Sequence, residues 1–316
     1  MKGLTDIPGI KVGHISDFKA ITGCTAILCE SGAVGGVDVR GSATGSQELD
    51  VLNPLHVTDR IHGVCLSGGS AFGLEATSGV RKFLEKKKVG FPAGNFVVPI
   101  VPGAILFDLA IGNGSVRPTR EMGEAAAAAA TDQAVEEGSV GAGTGASIGK
   151  LFGMGRAMKS GIGTYTVEVA GALVSALVAV NARGDVLDPH TGKIVAGARQ
   201  SESSREFSDS TAAMIKGVSG GFNRGNTTLA VIATNAKLSK TGATKLAQLA
   251  GLGMARAISP VNTMSDGDIV FAMSIGEANV NIDSLGVAAA EALAQAILRA
   301  VRTAKSLGGL PSYSGL

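Results

Sequence analysis

The sequence predicts a layered α/β sandwich with one continuous core. Short β-compatible runs bounded by glycine alternate with segments of helical period. No internal repeat divides the 316 residues, and a single domain spanning 1–316 is the expectation. Glycine occupies 46 positions while aromatic residues make up 4%. Small residues in such number imply closely packed layers, tight turns, or backbone drawn up against a ligand.

In chain order, "TGCTAILCE" and "HGVCLSGG" read as strands. From Ala71 to Lys86 the period becomes helical, with Leu74, Val80 and Phe83 near one face. "EMGEAAAAAATDQAVEEG" reads as one helix stopped by Gly138, because alanine is the strongest helix former. "TYTVEVAGALVSALVAVNARGDV" reads as a hairpin, Thr164 to Val169 and Leu173 to Val180, ending at Asn181 and a glycine turn. Residues 192–225 are polar and rich in glycine and serine, which marks an exposed, flexible segment. "TTLAVIATNA" is the near-continuous apolar run of a strand buried on both faces. A helix follows, with Ala243, Leu246, Ala250, Met254 and Ala257 on one side and Pro260 closing it. "DIVFAMSI" is a further strand, and Leu285, Ala289, Leu293, Ile297 and Val301 form one stripe of a long final helix.

Composition narrows the partners. A formal charge of +2 with 17% charged residues supplies no concentrated basic field, so neither nucleic acid nor an anionic membrane surface is an expected partner. The start "MKGLTDIPGIKVGH" lacks the apolar core of a signal peptide, and a soluble, cytoplasmic protein is the expectation. Cys24, Cys29 and Cys65 lie in apolar company and read as buried reduced thiols.

Four places carry candidate chemistry. "GAGTGASIGKL" fails as a phosphate loop, since Thr144 stands where the first glycine belongs and Leu151 replaces the magnesium-binding hydroxyl residue. Lys150, after ten neutral residues, is either a solvated turn residue or an amine held at a reaction centre. Asp266 and Asp268 flank Gly267, as a turn entering a strand or as carboxylates that orient a nucleophile; no nearby histidine or third carboxylate completes a metal set, so no metal is expected. Thr227 opens a buried strand after Asn226, as a strand-edge residue or as a nucleophile. Cleavage between Asn226 and Thr227 would give Thr227 a free α-amine beside its own hydroxyl, the arrangement of an N-terminal threonine nucleophile.

"GNTTLAVIATNAKLSK" and "GMARAISPVNTMSDGDIVFAMSIGE", with "HGVCLSGGSAFGLEA", "GAGTGASIGK" and "VNARGDV", resemble the self-cleaving aminopeptidases of the DmpA type. That family includes L-aminopeptidase/D-esterases, β-peptidyl aminopeptidases and nylon-oligomer hydrolases. The resemblance covers nearly the whole chain. It implies a four-layer αββα sandwich of the N-terminal-nucleophile hydrolase type, cut into an α chain of 1–226 and a β chain of 227–316. Thr227 then stands at the nucleophile, with Lys150 near it and Asn181 helping to hold the oxyanion. Asp266 and Asp268 stand at the acidic pair of the nylon hydrolases, where β-aminopeptidases carry Ser and Glu. Phe107, in "AILFDLA", replaces a tyrosine that can touch substrate.

The same resemblance implies hydrolysis of a small peptide, amino-acid amide or oligoamide, no cofactor, and a homo-oligomer of αβ units, commonly a tetramer. The alternatives are an acyltransferase of the ornithine acetyltransferase type, whose cleavage motif has alanine where Asn226 stands here, and an uncleaved, inactive ligand-binding homologue.

Overall fold

A computed structural model describes residues 2–220 and 225–316. Nine strands form the main sheet: β1 (Ile10–Asp17), β2 (Thr22–Val39), β3 (Gly45–Gln47), β4 (Arg60–Ser67), β5 (Gly103–Ile105), β6 (Ile162–Val169), β7 (Ala172–Asn181), β8 (Thr227–Ala236) and β9 (Ile269–Ala278). Their order is β6-β7-β8-β9-β2-β4-β5-β3, with β1 also paired to β2. The helices are α1 (Glu75–Lys86), α2 (Arg120–Ala128), α3 (Ser210–Ile215), α4 (Lys240–Ala257) and α5 (Ile282–Arg302).

The long strand β2 explains how one sheet supports several layers. Its first half pairs with β1 and β4, its last residues, Val34 to Val39, pair with β9, and its register with β4 shifts between Leu28 and Ala33. Side chains alternate across each strand. On β7, Val174, Ala176 and Val178 join Ile232 of β8 and the inner faces of α4 and α5, while Leu177 and Ala179 join a second cluster. That second cluster contains Leu229 and Val231 of β8 and Phe271 of β9, together with Val12 of β1, Ile27 of β2 and Leu66 of β4. A third cluster packs Cys24, Ala26 and Leu28 of β2 and Cys65 of β4 on α1 and α2. All three cysteines are buried free thiols, as their apolar surroundings predict.

The predicted hairpin, the strands at 227 and 269, and the two late helices all form. Ser239 caps α4 by accepting the Gly242 N–H, and Asn281 caps α5 by accepting the Asp283 N–H. Helix α5 has the length and apolarity of a membrane span, but its apolar stripe is taken up by the first cluster.

Two expectations need correction. The helix read over 121–138 ends at Ala128, because Thr131 exchanges backbone hydrogen bonds with Val12 of β1 at 2.9 and 3.1 Å. Pairing at a sheet edge overrides alanine propensity there. The exposed segment read over 192–225 is in part built into the body. Buried Asp185 accepts the Ala198 N–H at 2.8 Å, the Ser210 N–H at 2.8 Å and the Ser210 hydroxyl at 3.0 Å. Ile194–Ala196 pairs as a strand, α3 follows, and residues 221–224 lie outside the described residues.

Glycine sets the spacing of the helical layer. A Cβ on Gly253 of α4 would lie 2.0 Å from the Ala290 carbonyl oxygen of α5, and backbone cannot yield as a side-chain tip can. Gly253→Ala is expected to destabilise the fold by about 1–3 kcal/mol, read as a lower denaturation midpoint with an unchanged slope.

Candidate active site

Three strands bring the site together. In the antiparallel pairing of β7 with β8, Asn181 stands opposite Thr227. In the parallel pairing of β8 with β9, Leu229 stands beside Ile269, and the chains just ahead of these residues keep company: Asn226 forms a parallel bridge with Asp266. Residues 226–228 and 266–268 therefore run side by side. Thr227 is 3% exposed, and Asp266 and Asp268 are equally buried.

With the 226–227 peptide bond intact, the Thr227 hydroxyl donates to the Asn226 carbonyl oxygen at 2.6 Å, and the Gly267 N–H donates to the same oxygen at 2.8 Å. A Cβ on Gly267 would lie 2.8 Å from Thr227 Oγ1 and 2.8 Å from the Ala43 carbonyl oxygen. Glycine at 267 leaves space for the hydroxyl while its amide polarises the carbonyl beside it.

Both aspartates accept hydrogen bonds from backbone N–H groups. Asp268 accepts the Thr228 N–H at 2.6 Å and the Asn262 N–H at 3.0 Å. Asp266 Oδ2 accepts the N–H and hydroxyl of Thr263 at 2.9 and 2.5 Å. Burial, followed by the charge of Asp266, pushes the Asp268 carboxyl up to about 7 against the pull of its hydrogen bonds.

Lys150 is no solvated turn residue. Its ammonium donates to Asn181 Oδ1 at 2.8 Å, to the Asn181 carbonyl at 3.1 Å and to the Gly225 carbonyl at 3.0 Å. Burial pushes the amine down to about 7, opposed by the nearby negative charges of Asp266, Asp268 and Asp108. A buried amine near neutrality can give or take a proton at physiological pH.

Asn181 Nδ2 donates to the Phe107 carbonyl at 2.9 Å and to the Gly225 carbonyl at 3.3 Å, while its Oδ1 accepts the Ser147 N–H at 3.1 Å. With the bond intact, its donor thus points one residue upstream of the carbonyl that the Gly267 amide meets. The Phe107 ring packs on Gly225, and both line a narrow crevice with Asp108, Gly145, Ser147, Lys150 and Met154. Asp108 fixes this wall by accepting the Thr22 hydroxyl and the Gly69 N–H, each at 2.7 Å. A separate surface cleft of about 780 Å³, lined by Arg199, Glu202, Leu307 and Leu310, shares no residue with the cluster.

All of the sequence-derived residues, Phe107, Lys150, Asn181, Asn226, Thr227, Asp266 and Asp268, converge here, although they span 162 positions in none of the local motifs read singly. Sequence reasoning missed the Gly267 amide and the Gly225 carbonyl. Backbone groups carry no residue-type signal, and only the glycine between the two aspartates marked the place.

The family model described as peptidase family S58 matches residues 2–313. An uncharacterized aminopeptidase of Mycobacterium leprae is 38% identical, the alignment covering 100% of this chain and 94% of that protein. A 6-aminohexanoate-oligomer endohydrolase of Kocuria sp. is 29% identical over 94% of this chain and 85% of its own. Among solved structures, the L-aminopeptidase D-Ala-esterase/amidase of Ochrobactrum anthropi, described as a variant of the Ntn hydrolase fold, superposes with a TM-score of 0.73 at 20% identity, covering 98% of this chain and 88% of that one. With residues 2–313 matched by the family model and the whole chain aligned with a relative 38% identical, this chain belongs to peptidase family S58.

Proposed function

We propose that the chain is a hydrolase of amide bonds in small peptides or linear oligoamides, activated by its own cleavage between Asn226 and Thr227. The observation that carries this reading is the Asn226 carbonyl, held between the Thr227 hydroxyl and the Gly267 amide at 2.6 and 2.8 Å. The names of the relatives, an aminopeptidase and an oligoamide endohydrolase, support the substrate class. The alternation of helices, sheet halves and helices across three apolar clusters supports a four-layer αββα arrangement.

In processing, Thr227 Oγ adds to the Asn226 carbonyl carbon while Lys150, neutral in part near pH 7, takes the hydroxyl proton. The Gly267 N–H meets the developing oxyanion, a donor role worth about 3 kcal/mol when preorganised. The C–N bond breaks as the Thr227 nitrogen takes the proton that Lys150 had accepted and leaves as a free amine, and an ester remains. Water hydrolyses the ester, restoring the hydroxyl and leaving a carboxylate on Asn226. The new α-amine, with a reference pKa of about 7.7–8.0, then serves as base for the adjacent hydroxyl in each turnover. Asp268 fixes the start of β8 through the Thr228 N–H. This chemistry uses the chain's own residues.

Thr227→Ala is expected to fold, remain one full-length chain and lack hydrolase activity, whereas two fragments on a denaturing gel would remove the nucleophile. Gly267→Ala displaces the hydroxyl, and a shift on the ångström scale costs about 10²-fold, so the half-time of processing lengthens accordingly; an unchanged half-time would take Gly267 out of the site. Processing of freshly refolded chain is expected to accelerate as pH rises through about 7, where Lys150 loses its proton. Lys150→Met should lose that rise, and a retained rise would assign the proton to another group.

A further inference from the structure

The glycine-rich stretch "GAGTGASIGK" fails as a phosphate loop, and its backbone does the opposite of one. A phosphate loop turns amide N–H groups toward an anion. Here carbonyls turn toward a cation. Lys159, fully buried, donates from Nζ to the carbonyls of Gly143 at 3.0 Å, Ala146 at 2.8 Å and Ser160 at 2.6 Å. These bonds use all three hydrogens of an ammonium, and a neutral amine has one fewer. Burial pushes the Lys159 amine down to about 7, opposed by the charge of Asp108. Glycine lets the loop close this tightly: a Cβ on Gly143 would lie 2.5 Å from the Ile162 nitrogen, and one on Gly145 would lie 2.4 Å from Asp108 Cβ.

The loop leads directly into the site. Ser147–Ile148 pairs antiparallel with Met158–Lys159, and the Ser160 N–H returns to the Ala146 carbonyl at 3.0 Å. The Ser147 N–H then meets Asn181 Oδ1 at 3.1 Å, beside the Lys150 ammonium at 2.8 Å. Two donors on that one oxygen fix which end of the Asn181 amide faces the carbonyls of Phe107 and Gly225. Lys159 takes no part in the processing or turnover steps above, and a buried charge costs free energy unless it is well partnered.

We infer that Lys159 is a positioning residue: its ammonium is the fixed cation around which residues 143–147 fold, and through the Ser147 N–H it sets the aim of Asn181 and, with it, of Lys150. The inference rests on the hydrolase reading above and adds a residue that touches neither substrate nor the reacting atoms.

The test follows processing of freshly refolded full-length chain below pH 7, where Lys159 keeps its proton, together with hydrogen exchange at two amides. Lys159→Met keeps the length of the side chain and removes the charge. Its processing half-time is expected to lengthen about tenfold to a hundredfold, the scale of a displacement of about 1 Å. Exchange at the Ser147 amide should rise about tenfold or more, while the Thr228 amide, held by Asp268, stays within about twofold of wild type. An unchanged half-time, unchanged exchange at Ser147, or an equal rise at both amides overturns the positioning role. Lys159→Ala guards against a variant that misfolds, because propylammonium replaces the atoms the substitution removes. Processing is expected to return with propylammonium and not with propanol. A melting midpoint that recovers without the processing rate, or a chain that stays unfolded with the amine present, assigns Lys159 to the fold alone. A wild-type chain that never cleaves defeats the hydrolase reading, whereas exchange at Ser147 needs no cleavage and judges the loop separately.

Discussion

The backbone of residues 226–228 lies alongside that of residues 266–268, and the remainder of the site depends on this parallel alignment. It places the Gly267 N–H on the Asn226 carbonyl at 2.8 Å and the Asp268 carboxylate on the Thr228 N–H at 2.6 Å. Two central strands of the sheet, each buried on both faces, fix the alignment. A side chain at 267 would fill the space that the Thr227 hydroxyl takes. The register of one strand pair thus decides which carbonyl is polarised and which hydroxyl reaches it.

Burial gives the cluster its electrostatic character. Lys150 and Asp268 would each be fully charged at pH 7 in water; inside the fold desolvation drives the amine down to about 7, while desolvation and then the charge of Asp266 drive the carboxyl up to about 7. The negative charges of Asp266, Asp268 and Asp108 limit the shift of Lys150, hydrogen bonds from Thr228 and Asn262 limit that of Asp268, and hydrogen bonds to backbone hold both groups in place. An amine held this close to neutrality gives or takes a proton without a large energy gap, which is the property proton-transfer chemistry requires. The same desolvation makes each polar contact in the pocket selective, because a donor without a partner there has no water to replace it.

Much of the architecture was legible in the sequence. The near-continuous apolar run in "TTLAVIATNA" and the stripes from Ala243 to Ala257 and Leu285 to Val301 reflect burial along a single element, and such patterns survive folding. Errors arose where distant contacts override local preference. Alanine-rich sequence after Ala128 leaves the helix to pair with β1, and the polar stretch after residue 192 is anchored by a buried aspartate that no pattern reveals. Within the site, Lys150, Thr227 and the two aspartates stood out as candidates with a structural alternative beside each, and resemblance chose between the alternatives and added Asn181, since their spacing along the chain joins nothing. The aim of Asn181 onto the Gly225 carbonyl, and the role of the Gly267 amide, became visible only in three dimensions.

The central claim is that this chain severs its own backbone ahead of Thr227. Intact-mass spectrometry of the purified wild-type protein, with sequencing of each new amino terminus, measures it directly. The account predicts two species, residues 1–226 and residues 227–316, the second beginning with threonine. A single full-length mass that persists at neutral pH, or a cut at any other bond, would contradict it.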